Sequence, residues 1–294
     1  MNDLEQMAIG RIRLASQMSL TYYKQPIMVC ISGGKDSDVL LELTRRAGVP
    51  FEIQHSHTTV DAPQTVYHVR DIFKRYEQNG IKCTLNKPKM TMWELIVHKK
   101  MPPTRLVRYC CSYLKEQHGK NRHILTGVRW DESISRKNKR GIYEDKATDI
   151  KNKIIITNDN DDKRRLTERC QVLASTITNP IVDWKDKDVW DFIDSEHIKC
   201  NPLYGCGFKR VGCIGCPVAS KRRKMEFKIF PTYKRAYIRA FDKMLEARKA
   251  AGLKNNDLWR DGKSVFRWWM EEKFNPDQLS FEGFDEEYGE DDDR

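Results

Sequence analysis

The hexapeptide Ser32-Gly-Gly-Lys-Asp-Ser37 constrains the fold of this chain more than any other segment. It follows an apolar run at 26–31 and precedes another at 39–43, a pattern that predicts a strand, a tight turn and the start of a helix. Adjacent glycines let several backbone N–H groups point at one place, and the helix adds the positive end of its dipole. Lys35 adds a positive charge, and Asp36 can orient Lys35 or hold a magnesium ion. The sequence therefore predicts a phosphate-binding loop.

This loop differs from the Walker A motif, which has four residues between its first glycine and the Gly-Lys pair. A surface turn that contains Gly-Gly-Lys by chance is the alternative. The apolar segments on both sides favour the phosphate-binding interpretation.

Strand-like and helix-like segments alternate along the first 130 residues. Besides the strand before the loop, strands are predicted at 51–54, 81–85 and 123–127, and helices at 4–19, 63–79 and 92–99. This alternation predicts an α/β fold with a doubly wound, mostly parallel sheet. In such sheets ligands bind beyond the carboxyl ends of the strands, where the glycine loop lies.

Composition and charge narrow the classes of function. The 294 residues carry a net charge of +11, although residues 285–294 hold seven acids and one arginine, so the rest of the chain is strongly basic. Such a chain suits a polyanionic partner, namely a nucleotide, a nucleic acid or an acidic protein, although a solvated lysine-rich surface has the same composition. No apolar run approaches the roughly 18 residues of a membrane span, and no signal-peptide pattern is found, so we expect a cytoplasmic location without membrane contact.

The cysteines form the second strong signal. Cys206, Cys213 and Cys216 lie in a glycine-rich segment, with Pro217 directly after the last, and further candidate ligands lie in Arg108-Tyr-Cys-Cys-Ser-Tyr-Leu-Lys115. In a reducing compartment such thiolates favour a metal over disulfides. The spacing fits a 4Fe–4S cluster, with a four-cysteine zinc site or unreactive buried thiols as alternatives. The predicted ligands are Cys110, Cys206, Cys213 and Cys216, with Cys111 as an alternate or additional ligand.

The segment Gly127-Val-Arg-Trp-Asp-Glu-Ser-Ile-Ser-Arg136 is the third signal. Arg129 follows a predicted strand end, so its guanidinium can bridge phosphate oxygens. Glu132 and Ser133 can hold Arg129 or a ribose hydroxyl. An Arg and a Glu three residues apart on a helix surface are the simpler alternative.

Taken in order, the SGGKDS loop, the 108–115 segment, GVRWDES, Asn179-Pro-Ile-Val-Asp-Trp184 and Asn201-Pro-Leu-Tyr204 resemble the phosphoadenosine phosphosulfate (PAPS) reductase family. This family belongs to the adenine nucleotide α-hydrolase, or PP-loop ATP pyrophosphatase, superfamily. The resemblance covers about residues 25–218. It implies an adenine nucleotide over the glycine loop and sulfur chemistry.

Two departures from the family pattern shift the expected reaction. Sulfonucleotide reductases attack sulfate with a cysteine near the C-terminus, whereas no cysteine follows Cys216 here. Reductases also usually have an eroded loop, whereas this chain keeps Lys35, as ATP users do. With the additional Cys206, the cysteine pattern resembles that of the iron–sulfur sulfur-transfer enzyme of DNA phosphorothioation. Cys110, Cys111, Cys213 and Cys216 also match the Cys-Cys and CxxC arrangement of adenylylsulfate reductases.

We therefore expect a PP-loop sulfurtransferase that binds ATP with magnesium, releases AMP and pyrophosphate, and supports iron–sulfur-dependent sulfur transfer. A nucleic-acid acceptor and a sulfur-donor protein are the expected partners. An adenylylsulfate or PAPS reductase is the alternative enzyme, and a metal-knuckle nucleic-acid-binding protein is the alternative that is not an enzyme.

The expected organisation has three parts: a nucleotide-binding α/β domain at 1–200, a cysteine-rich knot with a basic helical region at 201–284, and an acidic, disordered tail at 285–294. Lys35, Asp36 and Arg129 are the predicted catalytic residues. The predicted nucleotide-binding residues are Ser32, Gly33, Gly34, Lys35, Asp36, Ser37, Gly127, Arg129, Glu132 and Ser133.

Overall fold

The structure is a computed structural model, and it describes residues 3–115, 119, 121–145, 154–156, 176–219, 222–255 and 257–271. The chain divides into two compact units. The first comprises residues 1–56, 63–86 and 118–211, and the second comprises residues 57–62, 87–117 and 212–294. No helix in the described ranges is long and apolar enough to cross a membrane.

The first unit is built on a seven-stranded sheet. Its strands are β1 (Ile27–Ile31), β2 (Phe51–Ser56), β3 (Cys83–Asn86), β4 (His123–Leu125), β5 (Tyr143–Asp145), β6 (Ile154–Ile156) and β7 (Thr176–Thr178). They lie in the order β3-β2-β1-β4-β7-β5-β6. Strands β3, β2, β1, β4 and β7 pair in parallel. The predicted mostly parallel α/β sheet is therefore confirmed.

The other edge of the sheet is antiparallel. β5 pairs antiparallel with β7 on one side and with β6 on the other. The apolar run at 154–156, within the highly charged stretch 134–169, indicates one short strand and forms β6, whereas the sequence predicted neither β5 nor β7. The segments 146–153 and 157–175 around β6 lie outside the described residues.

Five helices of the first unit are described: α1 (Asp3–Met18), α2 (Lys35–Ala47), α3 (Pro63–Glu77), α6 (Ile134–Lys139) and α7 (Asp186–Ser195). The core is a cluster of buried aliphatic side chains from α1, β1, α2, β2 and α7. α2 packs between α1 and α7. Its fixed position matters for function because the N-terminus of α2 carries the glycine loop.

The second unit is helical. It contains α4 (Met92–Lys99), α5 (Tyr109–Leu114), α8 (Arg222–Ile229), α9 (Pro231–Ala250) and α10 (Gly262–Met270). Tyr237 and Phe241 of α9 pack on Trp269 of α10, with ring centroids 4.8 and 5.4 Å apart. The basic segment after residue 230, predicted as one helical region, thus consists of two packed helices.

The predicted three-part organisation stays a prediction. The second unit takes up residues 57–62 and 87–117 in addition to the segment after 211, so it is discontinuous in the sequence. The predicted tail at 285–294 lies outside the described residues.

Candidate functional site

The glycine loop turns sharply between β1 and α2. Gly33 has φ +74°, the left-handed region that a side chain disfavours, and a Cβ there would lie 2.9 Å from Thr65 Cγ2. The loop is also fastened from the opposite side, because Asn201 Nδ2 donates to the Gly33 carbonyl at 2.9 Å. Gly33 therefore has a local structural cause: its positive φ and the close approach of α3 leave no space for a side chain.

The first turn of α2 directs backbone N–H groups toward the loop. Gly34 is the N-cap and contributes no side-chain cap. Ser37 Oγ donates to the Gly34 carbonyl at 2.7 Å, and Ser32 Oγ lies 3.5 Å from Ser37 Oγ. The Lys35 N–H donates to the Tyr204 hydroxyl at 2.9 Å. The N–H groups of Ser37 and Asp38 donate to the Gly34 carbonyl at 3.0 and 3.2 Å. The positive end of the α2 dipole lies at this turn and attracts anions, so the arrangement can hold a phosphate.

Gly127 brings the segment after β4 against the first turn of α2. A Cβ on Gly127 would lie 2.8 Å from the Asp36 carbonyl oxygen and 3.2 Å from the Ser37 nitrogen. These are backbone atoms, which cannot rotate away. Gly127 thus sets the distance between α2 and the segment that carries Arg129.

Two cations converge at this point of the first unit. The side chains of Lys35 and Arg129 are 5% and 2% exposed. Arg129 Nε donates to Asp36 Oδ1 at 2.6 Å, and Arg129 Nη2 and Lys35 Nζ both contact Asp186 Oδ1, at 2.9 and 2.8 Å. Lys35 Nζ also lies 3.3 Å from Asp36 Oδ2. The predicted catalytic residues Lys35, Asp36 and Arg129 are therefore brought together.

Charge pairing dominates the electrostatics of this cluster. Burial opposes the charge on Arg129, but the carboxylates of Asp36, Glu132 and Asp186 raise its pKa above the usual value. Burial would also raise the pKa of Asp186, yet the hydrogen bond from Lys35 and the charges of Lys35 and Arg129 lower it. Arg129 and Asp186 are thus both charged at neutral pH.

Glu132 and Ser133 have structural contacts of their own. Glu132 accepts the backbone N–H of Arg129 at 3.2 Å and pairs with Arg136 and with Arg210, the latter at 2.9 Å. Ser133 is the N-cap of α6, and its Oγ accepts the Arg136 N–H at 3.3 Å. Glu132 therefore holds the main chain of Arg129 rather than its guanidinium. A contact of either residue with nucleotide stays a prediction.

Sequence reasoning missed two residues of this cluster, Asp186 and Tyr204. Asp186 follows the motif that ends at Trp184, and the sequence predicted neither a role for Asp186 nor the helix α7 that begins with it. Tyr204 ends the motif Asn201-Pro-Leu-Tyr204, and its ring packs edge-on against Trp190 at 5.3 Å between centroids. The motif contributed to the family resemblance, but it did not indicate that the Tyr204 hydroxyl accepts the backbone N–H of Lys35.

Four cysteines belong to the second unit. Cys110 and Cys111 lie on α5, and Cys213 and Cys216 lie in the segment before α8. A hydrogen bond with Cys111, burial and the nearby thiolates of Cys213 and Cys216 raise the pKa of Cys110. Burial also raises the pKa of Cys213, to about 11, although the charge of Lys115 opposes this rise. The four thiols thus share one electrostatic environment, with a lysine ammonium beside it.

The backbone around the cysteines is tightly enclosed. Gly215, between the last two cysteines, has φ +76°, and a Cβ there would lie 2.6 Å from Phe227 Cζ and 2.9 Å from Tyr237 Cε2. Its N–H donates to Glu226 Oε2 at 2.8 Å. Only glycine fits at this position, which explains the glycine in the CxxC segment.

The donor set in the second unit is all-thiolate, because Cys110, Cys111, Cys213 and Cys216 offer sulfur as the ligand atom. Iron–sulfur clusters and four-cysteine zinc sites both take such ligands.

The remaining cysteines are distributed elsewhere. Cys206 belongs to the first unit, where it is exposed on the turn that follows Tyr204. Cys30, Cys83 and Cys200 are partly buried in the first unit, and burial raises the pKa of Cys83 to about 11 and that of Cys200 to about 12. Cys170 lies outside the described residues. A ligand role for Cys206 stays a prediction.

Comparison with known proteins gives the family. Residues 26–219 match the phosphoadenosine phosphosulfate reductase domain. An uncharacterized protein of Methanocaldococcus jannaschii is 28% identical over 275 residues, which are 88% of this chain and 58% of that protein. Adenosine 5'-phosphosulfate reductase 1 of Bacillus subtilis is 24% identical over 66% of this chain and 75% of its own length.

A solved structure and a second M. jannaschii relative complete the comparison. The PAPS reductase of Candida auris in a phosphate complex has a TM-score of 0.44 and 16% identity, covering 69% of this chain and 87% of that one. The chain spans only 58% and 50% of the two M. jannaschii relatives. Because the domain match extends over residues 26–219, about two thirds of the sequence, the chain belongs to the phosphoadenosine phosphosulfate reductase family.

Proposed function

We propose that this protein binds ATP over the Ser32–Ser37 loop, cleaves it to AMP and pyrophosphate, and supports iron–sulfur-dependent sulfur transfer. One observation carries the nucleotide part of this proposal. Lys35 and Arg129, two nearly buried cations, meet at the N-terminus of α2, beside the backbone N–H groups of the loop. The dipole of α2 and the positive charges of the Lys35 and Arg129 side chains can together bind a polyphosphate.

The proposed reaction is attack on the α-phosphate of ATP. An acceptor oxygen forms the new bond to phosphorus, the bond to the bridging oxygen breaks, and pyrophosphate leaves with the electron pair. Lys35 and Arg129 neutralise the charge that develops on the leaving group, and Asp36 orients both cations through contacts of 3.3 and 2.6 Å. Asp36 is the carboxylate that would hold a magnesium ion arriving with the nucleotide, and the ion would supply further positive charge for the phosphates. A sulfur nucleophile then displaces AMP from the acceptor.

We propose Cys110, Cys111, Cys213 and Cys216 as the ligands of the iron–sulfur cluster. This set is favoured because the four cysteines lie in one unit and Cys110 interacts electrostatically with the other three. When bound, such a cluster supplies thiolate-ligated iron for sulfur binding or electron transfer. Lys115, whose pKa is raised chiefly by the Cys213 thiolate, offsets the negative charge of the ligands.

A nucleic acid is the acceptor that the surface charge favours. Residues 222–271 hold 14 Lys and Arg against six Asp and Glu. Arg235, Arg239 and Lys243 are exposed at four-residue intervals on α9, so they share one face of the helix. Such a row can contact successive backbone phosphates.

A sulfonucleotide reductase is the second candidate. It is favoured by the Cys110, Cys111, Cys213 and Cys216 set and by the relatives named adenosine 5'-phosphosulfate reductase, which match at 23–24% identity. The two candidates differ in their products. ATP-dependent release of pyrophosphate and AMP supports sulfur transfer, whereas sulfite released from adenylylsulfate or PAPS with a thiol reductant supports the reductase.

Lys35→Ala tests the nucleotide assignment. We expect it to weaken ATP binding by at least tenfold and to abolish pyrophosphate release, because it removes a buried cation from the loop. Gly34→Val should act similarly, since a Cβ at Gly34 already lies 3.3 Å from the Tyr204 hydroxyl. Lys187→Ala, an exposed lysine on α7, is the matched control. Unchanged ATP affinity and turnover in both loop variants would refute the assignment.

A further inference from the structure

The carboxylate of Asp186 bridges the two cations of the loop, and no sequence motif assigned it a role. Asp186 Oδ1 lies 2.8 Å from Lys35 Nζ and 2.9 Å from Arg129 Nη2. The carboxylate therefore lies between the two cations, at the position where an anionic ligand would be attracted by both. We propose that Asp186 is a placeholder for phosphate, which leaves the two cations when the polyphosphate of the nucleotide binds. The proposal rests on the proposed ATP-binding function.

The cations need such a partner in the ligand-free protein. Lys35 and Arg129 are almost completely buried, and a buried charge is costly unless it is paired. Asp36 reaches both cations but cannot satisfy the full donor set, since Arg129 directs Nη2 away from Asp36 and toward Asp186. Asp186 completes the pairing.

Asp186 is also the carboxylate that can move away most readily. Its side chain is 56% exposed, against 20% for Asp36, so its release into water costs little. Its main chain is held in place because the Asp186 N–H donates to Asp131 Oδ2 at 2.8 Å. It lies in the first turn of α7, where the helix dipole stabilises an anion in either side-chain position. A rotation of the side chain is thus sufficient to free both cations.

The surrounding charge makes this exchange necessary. Lys35 and Arg129 carry two positive charges, whereas Asp36 and Asp186, with Asp131 at 3.6 Å from Arg129 Nη1, carry three negative ones. A polyphosphate arriving at this cluster meets repulsion unless a carboxylate withdraws. Asp186 therefore lowers the affinity for nucleotide, because it competes with phosphate for Lys35 and Arg129, and it pairs these two cations when no nucleotide is bound.

The test is calorimetric titration of the full chain with inorganic pyrophosphate, with and without magnesium. Asp186→Asn should bind pyrophosphate about threefold to tenfold more tightly than the wild type, the range expected when a partly exposed ion pair no longer competes. The same variant should lower the thermal unfolding midpoint of the ligand-free protein, because Lys35 and Arg129 lose a partner. Asp186→Ser should change both quantities in the same directions.

Asp191→Asn is the matched control. Asp191 is exposed on the same helix and loses the same charge, so its variant should change pyrophosphate affinity by less than twofold. Unchanged or weaker pyrophosphate binding in Asp186→Asn, while the wild type binds and Lys35→Ala does not, would overturn the placeholder role alone. Absence of pyrophosphate and ATP binding in the wild type would overturn the proposed function as well. A purely structural role would lower stability and affinity together.

Discussion

Replacing Gly127 with alanine would test how the spacing between two segments sets the nucleotide site. The added Cβ would lie 2.8 Å from the Asp36 carbonyl oxygen, 2.9 Å from the Asp36 carbonyl carbon and 3.2 Å from the Ser37 nitrogen. All three atoms belong to the first turn of α2, which is fixed by packing against the core. The strain can be relieved only if the segment of Gly127 moves away from α2.

Overpacking of this kind typically destabilises a protein by about 1–3 kcal/mol. The same displacement would lengthen the 2.6 Å contact between Arg129 Nε and Asp36 Oδ1, because the two residues lie on the segments that separate. We therefore expect Gly127→Ala to lower the free energy of unfolding by about 1–3 kcal/mol. We also expect pyrophosphate affinity to fall by about tenfold, the equivalent of about 1.4 kcal/mol.

Gly10→Ala provides the control. Gly10 lies within α1, and a Cβ there would meet no atom within 4 Å. Alanine in a helix interior is more favourable than glycine by about 0.5–1 kcal/mol, so this variant should be slightly more stable than the wild type and bind pyrophosphate normally. Urea denaturation and calorimetric titration measure the two quantities. A Gly127→Ala protein with wild-type stability and affinity would refute the reasoning from close backbone approach.

Two further predictions concern groups away from the loop. Burial lowers the pKa of His123 to about 3, against an ordinary value of 6.5. Between these pH values His123 is therefore protonated in the unfolded chain and neutral in the folded protein. The free energy of unfolding should therefore fall as pH drops from about 6.5 toward 3, with a slope of up to about 1.4 kcal/mol per pH unit. His123→Gln should reduce that slope. The control His98→Gln, at an exposed position, should leave it unchanged. Cys213→Ser should lose most bound iron and sulfide after anaerobic purification, while Cys83→Ser should retain both; a colourless wild-type preparation with one equivalent of zinc would contradict the cluster assignment.

The turn of the glycine loop was predictable because its signals are local. Two glycines between an apolar strand and a helix specify the turn, and the structure places Gly33 at positive φ with α3 against it. The parallel strands β1 to β4 and the helices α1, α3 and α4 were likewise predictable from periodicity and length, with end points within a few residues, whereas the parallel strand β7 was missed. β5 was missed because three residues, Tyr143–Asp145, are too short to show a period.

The position of Asp186 could not be derived in the same way. Lys35, Arg129 and Asp186 are separated by 94 and 57 residues, and an acidic residue in the first turn of a helix is usually explained by the helix dipole alone. Only the sheet order, which brings β4 beside β1 and β7 beside β4, places their segments together. The charge partner of a catalytic residue is thus a property of topology, which a single sequence does not reveal.

The cysteine site illustrates the opposite relation between sequence and structure. The thiols at 110–111 and 213–216 are about 100 residues apart, yet the sequence grouped them as candidate ligands, because thiolates have few other uses in a reducing compartment. The structure places them in one unit, and their role as ligands stays a prediction. What the sequence could not decide was the fourth ligand, since spacing along the chain does not distinguish Cys111 from Cys206. The division into units places Cys111 with Cys110, Cys213 and Cys216 in the second unit and Cys206 in the first, and both ligand sets stay predictions. Substituting Cys111 and Cys206 separately compares the two sets directly.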